Sequence, residues 1–195
     1  RPTAVAVAPA SRRVYVLDTG GVDSDSHRVH VYDAEGRPQG TIGRRGGAAG
    51  EFNLPTDIDV GADGTLWVLD SGNFRVQAFD PEGVPLRAFG AVGNGLGQLA
   101  RPRGLTVDRD GLVYVSDATF CNVQVFTPDG SLLLAIGTRG ERDAPGRFLL
   151  PAKLAADETG RLYIIDQYFH KVEVVRRLSD DEGRRLQAQD RKSVV

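Results

Sequence analysis

Short runs of apolar residues separated by turn residues extend along almost the whole chain. The clearest unit contains the runs LPTDIDV, TLWVLD, RVQAFD and PLRAFG, with Gly, Asn, Asp and Pro clustered between them. Runs that are rich in β-branched and aromatic residues and bounded by turn residues predict β-strands joined by tight turns. Helical spacing of apolar residues is not sustained anywhere before the C-terminal tail. The pattern therefore predicts four antiparallel strands in each unit.

This unit recurs along the chain with a period of about 47 residues. A proline opens each copy, and an aspartate closes the second run of each copy. The prolines are Pro2, Pro55, Pro102 and Pro151, and the aspartates are Asp18, Asp70, Asp117 and Asp166. A repeat of about 20 to 50 residues indicates a solenoid, a propeller or an array.

A four-stranded unit of this size cannot bury both faces of its sheet by itself. Packing such units around an axis covers each sheet with its neighbours, which predicts a β-propeller. The second run of each unit is apolar on both faces, as in LWVL and LYII, whereas the third run alternates, as in RVQAF. We therefore predict an all-β propeller with repeats at approximately residues 1–52, 53–99, 100–148 and 149–176.

The repeat also resembles a known family, the NHL repeat. The resemblance lies in the motif P-x-x-I/L-x-V-x-x-x-G-x-L/V-Y-V-x-D followed by x-V-Q-V-F. It is carried by PTDIDVGADGTLWVLDSGNFRVQAFDPEG, PRGLTVDRDGLVYVSDATFCNVQVFTPDG and PAKLAADETGRLYIIDQYFHKVEVVRR. The motif asparagine is present at Asn73 but is replaced by Phe120 and Phe169 in the next two repeats. The resemblance covers about residues 1 to 176 and implies a six-bladed ring, but one propeller fold hosts enzymes, sensors and adaptors.

The last repeat has three predicted strands instead of four: PAKLAAD, RLYIID and KVEVV. The charged tail at 177–195 follows, and its segment from Ser179 to Glu182 predicts the start of a short helix. Complete propellers leave no exposed strand edge, because one chain end completes a blade begun by the other. We therefore expect the chain to be part of a longer protein. A four-bladed ring, or an edge covered by the tail or by a partner, stays open as an alternative.

Composition limits the classes of partner. The chain has 24 basic and 26 acidic residues, so there is no strong electrostatic case for nucleic acid, and we expect none as a partner. No apolar run is long enough to span a bilayer. Arginine far outnumbers lysine, which we interpret as the coding bias of a GC-rich bacterium. The single cysteine, Cys121, excludes an intrachain disulfide.

Candidate chemistry is sparse. No Ser-His-Asp or Cys-His set is present, so we predict no catalytic residues. Asp23 and Asp25, in the insertion TGGVDSDSH of the first repeat, could supply oxygen ligands to Ca²⁺, with a plain polar turn as the alternative. Asp57 and Lys153 stand two residues after the repeat prolines, where the chain approaches the central channel. Together with Arg103 they are predicted to pair, or to grip a polar ligand, at the channel mouth.

Two groups of residues are candidates for binding a protein partner. The turns DATFCNVQVF and DQYFHKVEVV carry aromatic residues where the family prefers small or polar ones, and exposed aromatic side chains suit interfaces. Packing of these rings between blades is the alternative. Arginines on the loops between repeats could form a basic docking edge. The candidate residues are Phe120, Cys121, Asn122, Tyr168, Phe169, His170, Arg44, Arg45 and Arg139.

Stretches such as DATFCNVQVF and LPAKLAADETGRLYIIDQYFHKVEVVRRLS are also similar to bacterial NHL proteins that accompany multihaem c-type cytochromes in the cell envelope. This resemblance implies an extracytoplasmic location in the periplasm or at the cell surface, and a protein partner such as a multihaem cytochrome or a membrane assembly. We therefore expect a non-catalytic scaffold or protein-binding subunit without a cofactor of its own, apart from the Ca²⁺ ion considered above. A lyase or lactonase with a channel metal, and the sensor domain of a receptor, stay open.

Overall fold

The computed structural model describes residues 1–179 and 181–185. Its strands are named in chain order: β1 (Pro2–Val7), β2 (Val14–Asp18), β3 (Arg28–Tyr32), β4 (Pro38–Ile42), β5 (Asp57–Val60), β6 (Leu66–Asp70), β7 (Arg75–Phe79), β8 (Pro85–Phe89), β9 (Pro102–Val107), β10 (Val113–Asp117), β11 (Asn122–Phe126), β12 (Leu132–Ile136), β13 (Thr138–Arg139), β14 (Arg147–Phe148), β15 (Pro151–Ala156), β16 (Arg161–Asp166) and β17 (Lys171–Arg176). A 3₁₀ turn spans Ser71–Asn73, and one helical turn spans residues 181–185.

Four antiparallel sheets form the blades, and each strand pairs with its neighbour in sequence. The blades are β1-β2-β3-β4, β5-β6-β7-β8, β9-β10-β11-β12 and the three-stranded β15-β16-β17. The inner strands lie side by side around the axis, with β1 against β5, β5 against β9 and β9 against β15. The predicted all-β propeller is therefore confirmed, and the strands of each blade fall within one of the repeats given above.

The hydrophobic core lies between the blades. Tyr15 and Leu17 of the first blade pack with Ile58 and Leu66 of the second, and similar clusters join the second blade to the third and the third to the fourth. Strands β6 and β10 are buried at every position, as expected for central strands covered on both faces. Apolar burial is the dominant favourable term in folding, so each blade depends on its neighbours for stability.

The loops between blades repeat the same anchor. Phe52, Leu99 and Phe148 are fully buried, and each pairs with the start of its own loop through a short parallel bridge. Gly43 and Gly137 have positive φ, and a Cβ there would lie 2.1 Å and 2.3 Å from the rings of Phe52 and Phe148. Glycine is therefore required at both positions by the backbone conformation and by the ring beneath it. The buried side chains of Phe52, Leu99 and Phe148 therefore anchor the loops to the core.

The repeated aspartates fix the turns that follow them and also a second segment. One carboxylate oxygen of Asp117 accepts the backbone N–H groups of Thr119 and Phe120 in the following turn. The other accepts those of Ala100 and Arg101, which lead into the inner strand of the same blade. Asp166 repeats both sets of bonds in the fourth blade. Each blade thus uses one carboxylate to join its entry segment to its outer turn.

The chain leaves the fourth blade after β17 through a capped helical turn. The hydroxyl of Ser179 accepts the N–H of Glu182 at 3.2 Å, and the carboxylate of Glu182 accepts the N–H of Ser179 at 3.0 Å. This reciprocal arrangement is a capping box, so the predicted helix start is confirmed for residues 181–185. Asp180 and residues 186–195 of the predicted tail lie outside the described residues. No helix in the described part of the chain has the length and apolar character needed to cross a bilayer.

Candidate functional site

The centre of the propeller holds an ion pair between two blades that are not neighbours. Lys153, on β15 of the fourth blade, donates to a carboxylate oxygen of Asp57 on β5 of the second blade at 2.5 Å, and to the carbonyl of Thr56 at 3.1 Å. The second oxygen of Asp57 accepts the N–H of Leu105 on the third blade at 2.9 Å. Burial raises the pKa of Asp57 even though the Lys153 ammonium opposes the shift. The predicted pairing of Asp57 and Lys153 is confirmed.

Glycine in the third blade makes this pair possible. A Cβ on Gly104 would lie 2.2 Å from the carbonyl oxygen of Ala152 and 3.0 Å from the Cα of Lys153. The backbone of the fourth blade can therefore pass close to that of the third only because position 104 has no side chain. Arg103 does not join the pair. Its guanidinium instead contacts the side chain of Gln167 at 3.4 Å, so the prediction that it belongs with Asp57 and Lys153 is wrong.

The space around the pair is a channel pocket of about 250 Å³ lined by inner strands of all four blades. Asp59 also faces it, but one oxygen of that carboxylate already accepts the Thr106 hydroxyl at 2.7 Å and the Val107 N–H at 2.9 Å. The carboxylates of Asp57 and Asp59, which line the pocket, already accept hydrogen bonds from the third blade. These bonds join the second blade to the third, and they leave the two carboxylates less available to a ligand.

The predicted contact residues of the third blade fall inside the structure. Cys121 and Asn122 are buried, and the thiol of Cys121 lies 3.4 Å from the carbonyl of Leu149 under the loop that leads to the fourth blade. Burial raises the pKa of the Cys121 thiol, which disfavours a reactive thiolate. The prediction that Cys121 and Asn122 face a partner is therefore wrong, because the next blade covers this turn. Phe120, at the same turn, is half-buried.

The equivalent turn of the fourth blade is open. Tyr168 and His170 are exposed, and Phe169 is half-buried. Tyr168 and Phe169 stack edge to face, with ring centroids 5.2 Å apart. In the first three blades the residue equivalent to His170 packs under the loop that leads to the next blade. His27 of the first blade, for example, is fully buried, and its ring lies 3.3 Å from the carbonyl oxygen of Phe52 in that loop. The three fourth-blade residues thus lie where a following blade would pack.

The sheet of the fourth blade carries an exposed apolar face below this turn. Val172 and Val174 on β17 are 59% and 51% exposed, whereas their counterparts Val123 and Val125 on β11 are 0% and 3% exposed. The neighbouring residue Ile165 on β16 is also exposed. We call Ile165, Val172, Val174 and Tyr168 the fourth-blade face. Its side chains have the apolar character that the other blades bury against a neighbour.

An apolar groove runs beside β17. It has a volume of about 490 Å³ and lies between the outer part of the third blade and the free edge of the fourth. Its apolar lining includes Leu112, Val125, Ile136, Leu162, Val175 and Leu178. We call it the β17 groove. The sequence analysis does not predict this groove. The three predicted strands of the last repeat, where the other repeats have four, are the feature that could have indicated it.

The remaining predicted residues are exposed on the surface. Arg44 pairs with Glu51 at 2.8 Å, and Arg45 lies 4.0 Å from Asp25. Arg139 is exposed on β13, and Asp23 is exposed in the insertion of the first blade. Within residues 1–179 and 181–185, His, Cys, Asp and Glu side chains form no group of three that could hold a metal ion. Calcium binding at Asp23 and Asp25, and docking of a partner on the arginines, stay predictions.

Known proteins share the repeat and the fold of this chain. The family model of the NHL repeat matches residues 52–79 and 99–126, in the second and third blades. A protein of unknown function from Bacteroides thetaiotaomicron is 18% identical with a TM-score of 0.63, covering 89% of this chain and 46% of that one. A catalytically inactive virginiamycin B lyase from Staphylococcus aureus, solved with quinupristin, is 11% identical with a TM-score of 0.60, covering 92% and 56%. A second protein of unknown function, from Bacteroides caccae, is 14% identical with a TM-score of 0.55, covering 90% and 61%.

The chain thus spans 46% to 61% of the length of these solved structures. At such low identities the likeness shows the fold and carries no activity over to this chain. No curated protein matches the sequence.

Proposed function

The second and third blades of this β-propeller carry NHL repeats, and on this premise we propose that the chain is a non-catalytic scaffold, a protein-binding subunit of an extracytoplasmic bacterial assembly. The observation that carries the proposal is the fourth-blade face. Val172 and Val174 are each more than half exposed, at positions that the third blade buries completely or almost so. Contiguous exposed apolar side chains mark sites of protein association.

The occupant we propose is a partner protein that presents an apolar β-sheet face. The three interfaces between blades within this chain are all of that kind, with Val, Leu, Ile and aromatic side chains from two sheets in contact. The fourth-blade face continues that series without a change of chemistry. The edge-to-face pair of Tyr168 and Phe169 adds aromatic surface at its upper margin, and aromatic residues are enriched in interfaces.

The extracytoplasmic location and a multihaem cytochrome as partner are the finer parts of this proposal. They rest on the likeness of the sequence to envelope NHL proteins. An apolar face on a packed propeller is suited to holding a partner in a fixed orientation, which electron-transfer assemblies require.

Photo-crosslinking in the source cells tests the proposal. A benzoylphenylalanine at position 174 should crosslink to one separate envelope polypeptide, whereas the same probe at Leu96, an exposed apolar residue between the second and third blades, should not. The double variant Val172→Asp, Val174→Asp should lose the partner while keeping its fold by circular dichroism. Haem staining of the crosslinked band tests the cytochrome, and fractionation against a periplasmic marker tests the location.

Three results would overturn the proposal: crosslinks that stay within the same polypeptide, capture that survives the double variant, and recovery in the cytoplasm. The first result would mean that further blades of a longer chain cover the face.

A lyase or lactonase is the second candidate, and the channel bears on it. Carboxylates of Asp57 and Asp59 face the axis, as a channel site would require, but both already bond the third blade. Metal analysis of the longest native form of the protein, with an assay for lactone opening, would decide. Stoichiometric metal with turnover favours the enzyme. A membrane span in that longer form would instead favour the sensor domain of a receptor.

A further inference from the structure

The three loops that join neighbouring blades share one hydrogen-bonded frame. They span residues 44–52, 91–99 and 138–148. In each loop a parallel bridge joins the second residue to the last: Arg45 to Phe52, Val92 to Leu99, and Arg139 to Phe148. The residue before the last also donates its N–H to the carbonyl three residues earlier. This common frame makes Glu51, Gln98 and Arg147 equivalent positions.

In the first loop this position supplies a carboxylate to the inside of the frame. One oxygen of Glu51 accepts the backbone N–H of Ala48 at 3.0 Å, and the other accepts the guanidinium of Arg44 at 2.9 Å. A Cβ on Gly46 would lie 2.1 Å from the carboxylate, so the group fills the space beside that glycine. The N–H of Ala48 and the Arg44 guanidinium lower the pKa of Glu51. The frame therefore binds an oxyanion, which the first loop supplies itself.

The second loop keeps an oxygen at the same place. The side-chain oxygen Oε1 of Gln98 accepts the N–H of Gly95, the counterpart of Ala48, at 2.9 Å. A Cβ on Gly93 would lie 2.1 Å from this oxygen, the same distance as in the first loop. In both loops a side-chain acceptor thus bonds the backbone from inside the frame.

The third loop carries a donor where the other two carry an acceptor. Arg147 stands at the position of Glu51 and has only N–H groups to offer; its guanidinium donates to the hydroxyl of Thr138 at 2.6 Å. The N–H of Ala144 corresponds to that of Ala48, and in the described part of the chain no protein atom accepts it. The third loop therefore keeps the frame but not the acceptor at this position.

A pocket of about 530 Å³ lies in this loop, and we call it the arginine pocket. It is lined by Arg139, Gly140, Glu141, Arg142, Ala144 and Arg147. The other acidic residue of the loop, Asp143, is held outside the lining by the ammonium group of Lys171 at 2.9 Å. Three guanidinium groups thus face one carboxylate, and the lining has an excess of positive charge.

The exposure of the arginine pocket is a property of the loop itself. The loop lies between the third and fourth blades, both of which the structure describes. The corresponding parts of the first two loops, Ala48 and Gly95 with the residue that follows each, are exposed as well, although a further blade follows the two that each loop joins. A following blade therefore leaves this part of a loop open.

We infer that the arginine pocket binds a tetrahedral dianion, a phosphate or phosphoryl group, where the first loop places the carboxylate of Glu51. The N–H of Ala144 and the guanidinium groups of Arg139, Arg142 and Arg147 are the donors, and arginine forks and loop N–H groups are common ligands of phosphate oxygens. An anion of two charges suits the site because three guanidinium groups exceed the single carboxylate of Glu141. The inference is independent of the proposed function, since the fourth-blade face takes no part in it.

Equilibrium dialysis with radiolabelled inorganic phosphate tests the inference. The protein is the longest native form, and potassium chloride holds the ionic strength constant so that general screening does not change. We expect one saturable site per chain, with acetate, which carries a single charge, at least about tenfold weaker, or about 1.4 kcal/mol. Equal affinity for acetate, or no saturable binding of phosphate, would overturn the inference.

Matched charge reversals place the site. Arg147→Glu restores the residue of the first loop, so the loop should fill itself and phosphate binding should weaken at least about tenfold with Tm preserved. Arg12→Glu makes the same change of charge at the exposed turn between β1 and β2, and should alter the affinity less than about twofold. Equal weakening by both variants, or full binding by Arg147→Glu, would overturn the site.

A further variant tests the charge balance. Glu141→Gln removes the one carboxylate of the lining and should strengthen phosphate binding about threefold, as expected for an exposed charge pair. Unchanged or weaker binding would contradict the arrangement proposed for the arginine pocket.

The source of the dianion is decided by comparing inorganic phosphate with glycerol 3-phosphate. Tighter binding of the ester assigns the pocket to the phosphoryl group of a larger ligand, and equal or weaker binding assigns it to free phosphate. Both results support the dianion site.

Discussion

Lys153 and Asp57 join the fourth blade to the second across the third, with 2.5 Å between the ammonium nitrogen and the carboxylate oxygen. Neighbouring blades in this chain are joined by apolar packing, but this pair joins two blades that have the third blade between them. The distance between Lys153 and Asp57 depends on how the inner strands β5, β9 and β15 are spaced around the axis. The pair therefore couples the position of the fourth blade to that of the second.

A double-mutant cycle should detect this coupling. Lys153→Met leaves a buried carboxylate without its counter-charge and is expected to lower the free energy of unfolding by about 3 kcal/mol. Adding Asp57→Asn should recover part of that loss, with a coupling energy of about 2 kcal/mol from urea unfolding of all four proteins. Additive effects of the two substitutions would show that the pair contributes no specific energy.

Gly104→Ala should be strongly destabilising. The new Cβ would meet the Ala152 carbonyl at 2.2 Å, and the backbone of the third or fourth blade must move. We expect a loss of about 3 kcal/mol in the free energy of unfolding. The control is Gly47→Ala, where the φ is ordinary and no heavy atom lies within 4 Å; it should stay within about 1 kcal/mol of the wild type. Similar losses for both variants would contradict the steric account.

Tyr15 and Tyr114 should respond in opposite directions to replacement by phenylalanine. The hydroxyl of Tyr114 donates to Asp108 at 2.9 Å, whereas the buried hydroxyl of Tyr15 has no protein partner among the described residues. The reason is local, since Pro9 stands six residues before Tyr15 where Asp108 stands six before Tyr114. Tyr15→Phe should raise the free energy of unfolding by about 1 kcal/mol, and Tyr114→Phe should lower it by at least as much. Urea unfolding measures both changes, provided that the variants and the wild type have equal m-values. A lower free energy of unfolding in both variants would contradict the prediction.

Asp157 should make the protein acid-sensitive. Its carboxylate accepts the backbone N–H of Arg161, the Thr159 hydroxyl and N–H, and the Tyr163 hydroxyl, which lower its pKa from 3.8 to about 2. Because the folded-state pKa lies below the unfolded one, the stabilisation is present above pH 4 and is lost as the pH falls towards 2. Asp157→Asn should therefore lower Tm more at pH 6 than at pH 3. A constant difference in Tm between Asp157→Asn and the wild type across this pH range would refute the assignment.

The thiol of Cys121 should be unreactive until the protein unfolds. The side chain is 1% exposed, and burial raises the pKa of the thiol. A thiol reagent should label the native protein much more slowly than the urea-unfolded protein, and the single cysteine makes the signal unambiguous. Rapid labelling of native protein would show that the turn is open and would restore Cys121 as a contact residue.

The features predicted well from the sequence are those that every repeat carries. The strand runs, the prolines that open each repeat and the aspartates that close the second run recur at similar spacing, so each copy supports the others. One recurring feature was missed. Gln77 and Gln124 stand at the same position of the third strand, and each bonds the loop that enters its blade. Their spacing of 47 residues was the available signal.

Features that occur once were harder to predict. Pairing of Lys153 with Asp57 was expected from their shared position, but the separation of Arg103 from them depends on side-chain direction, which the repeat does not determine. Cys121 is predicted as a contact residue because its turn departs from the family pattern. The turn in fact has a left-handed residue at Phe74, Cys121 and His170 alike, and in a complete array that residue lies under the following loop. The turns of Phe74 and Cys121 differ from the turn of His170 in whether a following loop packs on them, and the local sequence of the turn does not show this.

The loops between blades have a consequence for how structure is lost. The amide of Gln77 donates to the carbonyl of Glu51 and accepts the N–H of Gly50, while Phe52 of the same loop packs in the cluster of the first blade. A fluctuation that opens either blade must therefore release the same loop. Repeat proteins with strong coupling between nearest neighbours behave as one cooperative unit instead of melting segment by segment. Proteases should therefore find few cleavable intermediates, and the loops, although glycine-rich, should be cut only when the whole array opens.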